Sequence, residues 1–177
     1  LIVTACLIGS LSNSHFDGVL DFHSGAKAPL WVFIYEGLIN WIVMGFLLLL
    51  GGKLISKSNV RSVDVFGTQA LARFPTIVTA LFALLPSYQH FTAKLATQKI
   101  DEMLSTIQSN IGGLLSLVIV GLIALLMIIW MVALMYRAFS ISCNARGSKA
   151  IVVFIIALIL GELISKLLIV KVFRLFN

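Results

Sequence analysis

From Leu114 to Tyr136 the chain runs for 23 residues without one charged side chain. Wound as a helix rising about 1.5 Å per residue, that run measures about 34 Å, enough to cross a hydrocarbon layer about 30 Å thick. Three other stretches come close to it, and a chain in lipid must satisfy its backbone hydrogen bonds internally. The expectation is an all-α, polytopic transmembrane helical bundle, with the lipid bilayer as its first partner. Composition agrees: 60% of residues are apolar and 11% charged, and the mean hydropathy is +1.08. Most of the surface must face lipid, so a soluble reading fails. The 177 residues allow a single domain of four or five helices, with no sizeable part outside the membrane.

The spans follow from runs and breakers. Residues 29–52 open at Pro29, suited to a first helical turn, and close at Gly51, Gly52 and Lys53. Residues 66–86 are interrupted by Arg73 and Pro75 and end near Pro86; a proline inside a span removes a backbone bond, so a kink is expected near Pro75. Residues 112–136 and 150–170 make the fourth and fifth spans. The opening residues 1–11 are apolar but about half the needed length, and are read as part of a span that begins before Leu1, with a cleaved signal peptide as the alternative. Five spans result, the first of them truncated in this chain.

Loop charge predicts orientation, because Lys and Arg are retained on the cytoplasmic side. Lys53, Lys57, Arg61 and Arg73 face one acid, Asp64, in the second connection, and Arg137, Arg146 and Lys149 face none in the fourth. Both are expected inside. The first connection sets Lys27 against Asp17 and Asp21, and the third sets Lys94 and Lys99 against Asp101 and Glu102; both are expected outside. A cell-membrane protein with its N-terminus cytoplasmic and its C-terminus outside follows, although Lys166, Lys171 and Arg174 oppose the last step. The net charge of +6 lies in these short loops and forms no single stripe, so no nucleic-acid partner is expected.

Ionisable groups inside spans are functional candidates by default: Glu36, Arg73, Glu162 and Lys166, with Asn40 as a polar companion. One reading has Glu36 facing Arg73 in a polar pathway. The other has Arg73 and Lys166 snorkelling, and Glu36 bonded to a neighbour's backbone or hydroxyl. In the fifth span fifteen Leu, Ile, Val or Phe residues favour insertion by roughly 4.5–9 kcal/mol. Two mid-membrane charges oppose it by roughly 5–7 kcal/mol. The i, i+4 spacing of Glu162 and Lys166 resolves this marginal balance if the two neutralise one another on a face turned into the bundle.

The first connection also places His15, Asp17, Asp21 and His23 symmetrically about Val19, with His90 expected on the same side. These are ligand types for zinc or another transition ion, but their spacing matches no established zinc pattern. Gly37, Gly45, Gly52, Gly113 and Gly121 recur on helix faces, which suits close packing within the bundle or a homo-oligomer face. Trp31 and Tyr136 sit at predicted span ends, as interfacial anchors do. Cys6 and Cys143 form no CxxC pair and are expected to be inert. No dinucleotide, P-loop, zincin or nucleophile-elbow motif is present, so no cofactor is expected and an enzyme is the least supported class.

The run Asp64-Val65-Phe66-Gly67-Thr68-Gln69-Ala70-Leu71-Ala72-Arg73-Phe74-Pro75, followed by Pro86, resembles the central segment of the Yip domain family, five-span membrane proteins named for interaction with Ypt and Rab GTPases. A second match runs from Trp130-Met131-Val132 through Arg137 and a Ser, Gly and Lys rich loop to Lys149-Ala150-Ile151. The resemblance extends over nearly the whole chain. It implies an N-in, C-out five-helix domain closest in form to short prokaryotic members, and carries over no catalytic residue. Two functions then stand as expectations: a non-enzymatic scaffold that organises membrane or binds a protein partner at its cytoplasmic loops, or a small transporter or channel with a polar path through Glu36, Arg73 and Glu162.

Overall fold

In the computed structural model the chain is an all-α bundle carrying one very short hairpin. The description covers residues 1–25, 27–56 and 59–176, and for 100, 101, 104 and 173–176 the backbone alone. Lys57, Asn177 and the side chains of Asp101 and Arg174, which entered the orientation argument, therefore lie outside it. In chain order the elements are α1 (Ile2–Ser12), β1 (Ser14–His15), β2 (His23–Ser24), α2 (Leu30–Ile55), α3 (Ser62–Ala72), α4 (Phe74–Phe82), α5 (Pro86–Ala96), α6 (Ile100–Ser109), α7 (Ile111–Ser142) and α8 (Gly147–Phe176).

Four helical stretches are long and apolar enough to cross a membrane: Leu30–Ile55, Ser62–Phe82, Ile111–Ser142 and Gly147–Val172. α1 is apolar but shorter. Pro29 is extended and precedes the first turn of α2, where its missing N–H costs nothing. Asn110 begins α7 by accepting the Gly113 N–H on its side chain at 2.9 Å, which satisfies one of the free amides of that helix end.

The interruption expected at Pro75 lies two residues earlier. Arg73 leaves helical geometry (ψ 4°), α3 ends before it, and Pro75 sits in the first turn of α4. The physical cause is the same: the proline has no amide to return to the preceding turn. Thr76 donates both its N–H and its hydroxyl to the Arg73 carbonyl, at 3.0 and 2.7 Å, and closes the break. The span ends at Phe82, four residues before Pro86, and Pro86 starts α5.

The interior is a layer of methionine, phenylalanine and small residues: Met44 and Leu48 from α2, Val65 and Ala72 from α3, Met131, Met135 and Phe139 from α7, and Phe154 and Ala157 from α8. Large apolar side chains also line the outside, among them Leu115, Leu122 and Leu126 on α7 and Ile155, Ile159 and Leu163 on α8. Glycines set the closest approaches. A Cβ at Gly37 would meet the Cys6 sulfur, at Gly45 the Phe66 ring, at Gly52 the Cys143 side chain and at Gly113 the Phe91 ring. Gly121 has nothing within 4 Å among the described residues. Trp31 is half-exposed near the start of α2, whereas Tyr136 lies six residues before the end of α7 and packs edge-on against Phe154 at 5.3 Å. It is half-buried, at the edge of the core cluster.

Both cysteines are free and buried. At Cys143, just beyond α7, burial pushes the thiol up to about 11. Only about one thiol in a thousand is then thiolate at pH 8. We expect maleimide modification of Cys143 to be slow in the folded chain and to accelerate at least a hundredfold on denaturation, read by mass spectrometry; equal rates in both states would contradict this packing.

Candidate functional site

The connection between α1 and α2 does not lie across the end of the bundle. It turns back into it. α1 ends at Asn13 in the left-handed conformation (φ 49°), its N–H bonded to the Gly9 carbonyl. β1 and β2 then pair antiparallel with Ser14 opposite Ser24 and His15 opposite His23. Residues 16–22 form the closed tip of that hairpin, and Val19 at the tip is 3% exposed and packs in the same cluster as Met44 and Leu48. The sequence signal is visible in retrospect: Phe16, Val19, Leu20 and Phe22 are too apolar for a loop in water.

A tip without helix or ladder leaves its backbone groups needing partners, and in a dry interior each unpaired group is costly. The polar residues of the long helices supply them. Phe16 donates its N–H to Glu36 Oε2 at 3.1 Å, and its carbonyl accepts from Asn40 Nδ2 at 2.6 Å. Leu20 donates its N–H to Glu162 Oε2 at 2.8 Å. The second Glu36 oxygen lies 2.8 Å from His15 Nδ1, and the His15 ring stacks on Phe33 at 4.5 Å and on His23 at 5.6 Å. Both carboxylates are thus acceptors for one inserted segment.

Lys166 pairs with Glu162 at 3.2 Å, the i, i+4 contact expected, and also with Asp21 Oδ2 at 2.6 Å. Two charges on α8 are therefore matched partly within the helix and partly by the loop. Arg73 behaves differently from both expectations. It is 7% exposed, so it does not snorkel, and among the described residues it forms no ion pair with Glu36. Instead it donates from Nη2 to the Asn40 carbonyl at 2.8 Å. The break at its own backbone carries it across to α2. Its Nε and the Asn40 Oδ1 have no hydrogen-bond partner among the described residues, and both residues line a narrow cleft with Cys6, Glu36, Gly37 and Thr76.

Of the four loop residues with metal-ligand chemistry, Asp17, Asp21 and His23 bring one ligand atom each within 4.8 Å of one another. His15 is held by Glu36 instead. His90 is exposed on α5 and is not part of the group. The hairpin is tied to α5 by the Ser24 hydroxyl, which donates to the Tyr88 hydroxyl at 2.8 Å. The first and third connections thus share one end of the bundle. At the other end, Ser142 Oγ donates to the Asp64 carbonyl at 3.3 Å and Gly52 abuts Cys143, which joins the second and fourth connections. Comparison with protein-family models, with curated proteins and with solved structures finds no match for this chain.

Proposed function

We propose that the chain is a non-enzymatic integral membrane protein of Yip-like type, a scaffold whose work is done at its exposed cytoplasmic end. One observation carries this reading: both acids that would form a polar path, Glu36 and Glu162, are committed to the backbone of the inserted loop. Irregular backbone at membrane depth is tolerated where protein surrounds it and satisfies it. Each acid therefore has a structural task in holding the loop. The outward apolar faces of α7 and α8 suit contact with lipid.

Exposed Lys53, Arg61, Arg137, Arg146 and Lys149 lie on or within two turns of the two connections that share one end, where Asp64 pairs with Arg61 at 3.9 Å. Each contributes on the order of 1 kcal/mol towards an anionic surface, screened by salt. That end is assigned to the cytoplasm, where these cations meet headgroups or an acidic protein partner, and a second copy of the chain is one such partner.

Two measurements test the reading. A membrane-impermeant maleimide added to intact cells is expected to label Ser105→Cys and to spare Ser148→Cys until the cells are permeabilised; the opposite pattern refutes the orientation. Proteoliposomes are expected to leak protons and small solutes no faster than protein-free vesicles. A solute flux abolished by Glu36→Gln would establish the transport alternative in place of the scaffold.

A further inference from the structure

We propose that Asp17, Asp21 and His23 form a binding site for a divalent transition cation, on the loop that closes one end of the bundle. The three residues fall within one short irregular segment, and the hairpin register brings them together: His23 leaves the tip on β2 while Asp17 and Asp21 flank Val19 within it. His23 Nδ1 lies 3.6 Å from Asp17 Oδ1 and 4.0 Å from Asp21 Oδ1. Both separations are too long for hydrogen bonds. All three ligand atoms lie within 4.8 Å of one another, wider than the roughly 3.3–3.5 Å between ligands at tetrahedral bonds of about 2.0–2.1 Å, so a bound cation would draw them together.

A second observation singles out the same point. Asp17 Oδ1, the oxygen turned to His23, is inaccessible and has no hydrogen-bond partner among the described residues. Glu36 and Glu162, the other acids that meet this loop, each use both oxygens. The Asp17 side chain as a whole is 31% exposed, but a shielded carboxylate oxygen without a donor is met by a cation or a proton. Local charge points the same way: Asp21 and Glu162 share a single ammonium, Lys166, and Asp17 adds a third carboxylate beside His23, which leaves negative charge in excess. Lys166 binds Asp21 through Oδ2 and leaves Oδ1 turned to the site. It thereby orients the carboxylate.

Two carboxylate oxygens and one imidazole nitrogen suit zinc, cobalt or manganese rather than a soft thiolate-bound ion. With three protein ligands, water completes the coordination. Bound there, the cation would tie the tip of the loop to its own base at β2, and so stabilise the inserted conformation rather than catalyse a reaction.

The test uses the untagged full chain in detergent, stripped with a chelator and titrated with zinc against a chromophoric competitor. One equivalent is expected to bind with micromolar or tighter affinity and to raise the thermal midpoint. Asp17→Asn and His23→Gln should each weaken binding at least tenfold, and His90→Gln should not. No saturable binding below about 1 mM, or affinity unchanged in both loop variants, overturns the proposal. Should a variant fail to fold, X-ray absorption of the zinc-loaded wild-type chain decides. One imidazole with oxygen ligands supports the site, and sulfur ligation or no imidazole overturns it.

Discussion

Glu36→Leu is expected to destabilise the folded bundle by about 3 kcal/mol, while Glu36→Gln costs about 1 kcal/mol or less. Two energy scales bear on such a group and disagree in size. A hydrogen bond between helices in a membrane averages about 0.6 kcal/mol, because the unfolded chain in lipid finds other partners. Breaking a buried, charge-assisted pair costs about 3–5 kcal/mol, because the surviving partner is stranded. Glu36 is 2% exposed and serves two groups, the His15 ring and the Phe16 amide, so leucine strands both at once. The larger scale governs, with an upper limit set by the work of pulling the loop out to water. Glutamine keeps an oxygen for Phe16 and an amino group for His15 Nδ1, so the charge is lost but the bonds are not. Denaturant titration in detergent micelles gives the stability, and protease sensitivity within residues 14–24 reports whether the loop has come out. If leucine and glutamine variants unfold together with the wild type, Glu36 does not anchor the loop.

The helices were legible because their signal is local. The charge-free run that defines α7, and the Glu162 to Lys166 spacing on α8, need no knowledge of the rest of the chain. Pro75 marked a break to within two residues; its position at Arg73 depends on where Thr76 finds an acceptor, which a breaker residue alone does not specify. The inserted loop was not legible for the opposite reason. Its partners stand 20 residues away at Glu36 and 142 away at Glu162, and both bonds end on backbone amides, which every residue except proline owns and no sequence pattern advertises. Arg73 shows the same limit, since its acceptor is the Asn40 carbonyl rather than an acid. The grouping of His and Asp in the first connection was visible as composition. Only the register of β1 against β2 separates His15, bonded to Glu36, from the three residues that converge.

Gly18→Ala tests the fit of that loop against α8 at the scale of one methyl group. A Cβ on Gly18 would strike Glu162 Oε1 and fall 2.8 Å from its carboxyl carbon. A free glutamate would swing aside at little cost, but this one is held by the Leu20 amide and by Lys166. Alanine must therefore break one of those contacts or lift the tip, and a loss of about 1–3 kcal/mol is expected, as for other overpacked sites. Glu162→Ala alone removes the acceptor for Leu20 and one partner of Lys166, which retains Asp21, and should cost about 1–3 kcal/mol. The two effects act through the same atoms. In the double variant the carboxylate that the added methyl group would strike is gone, so Gly18→Ala on the Glu162→Ala background should cost almost nothing, with a coupling of about 1–3 kcal/mol between the sites. Costs that simply add, to within about 0.5 kcal/mol, would mean that Gly18 does not pass against Glu162, and that the loop enters the bundle along another line.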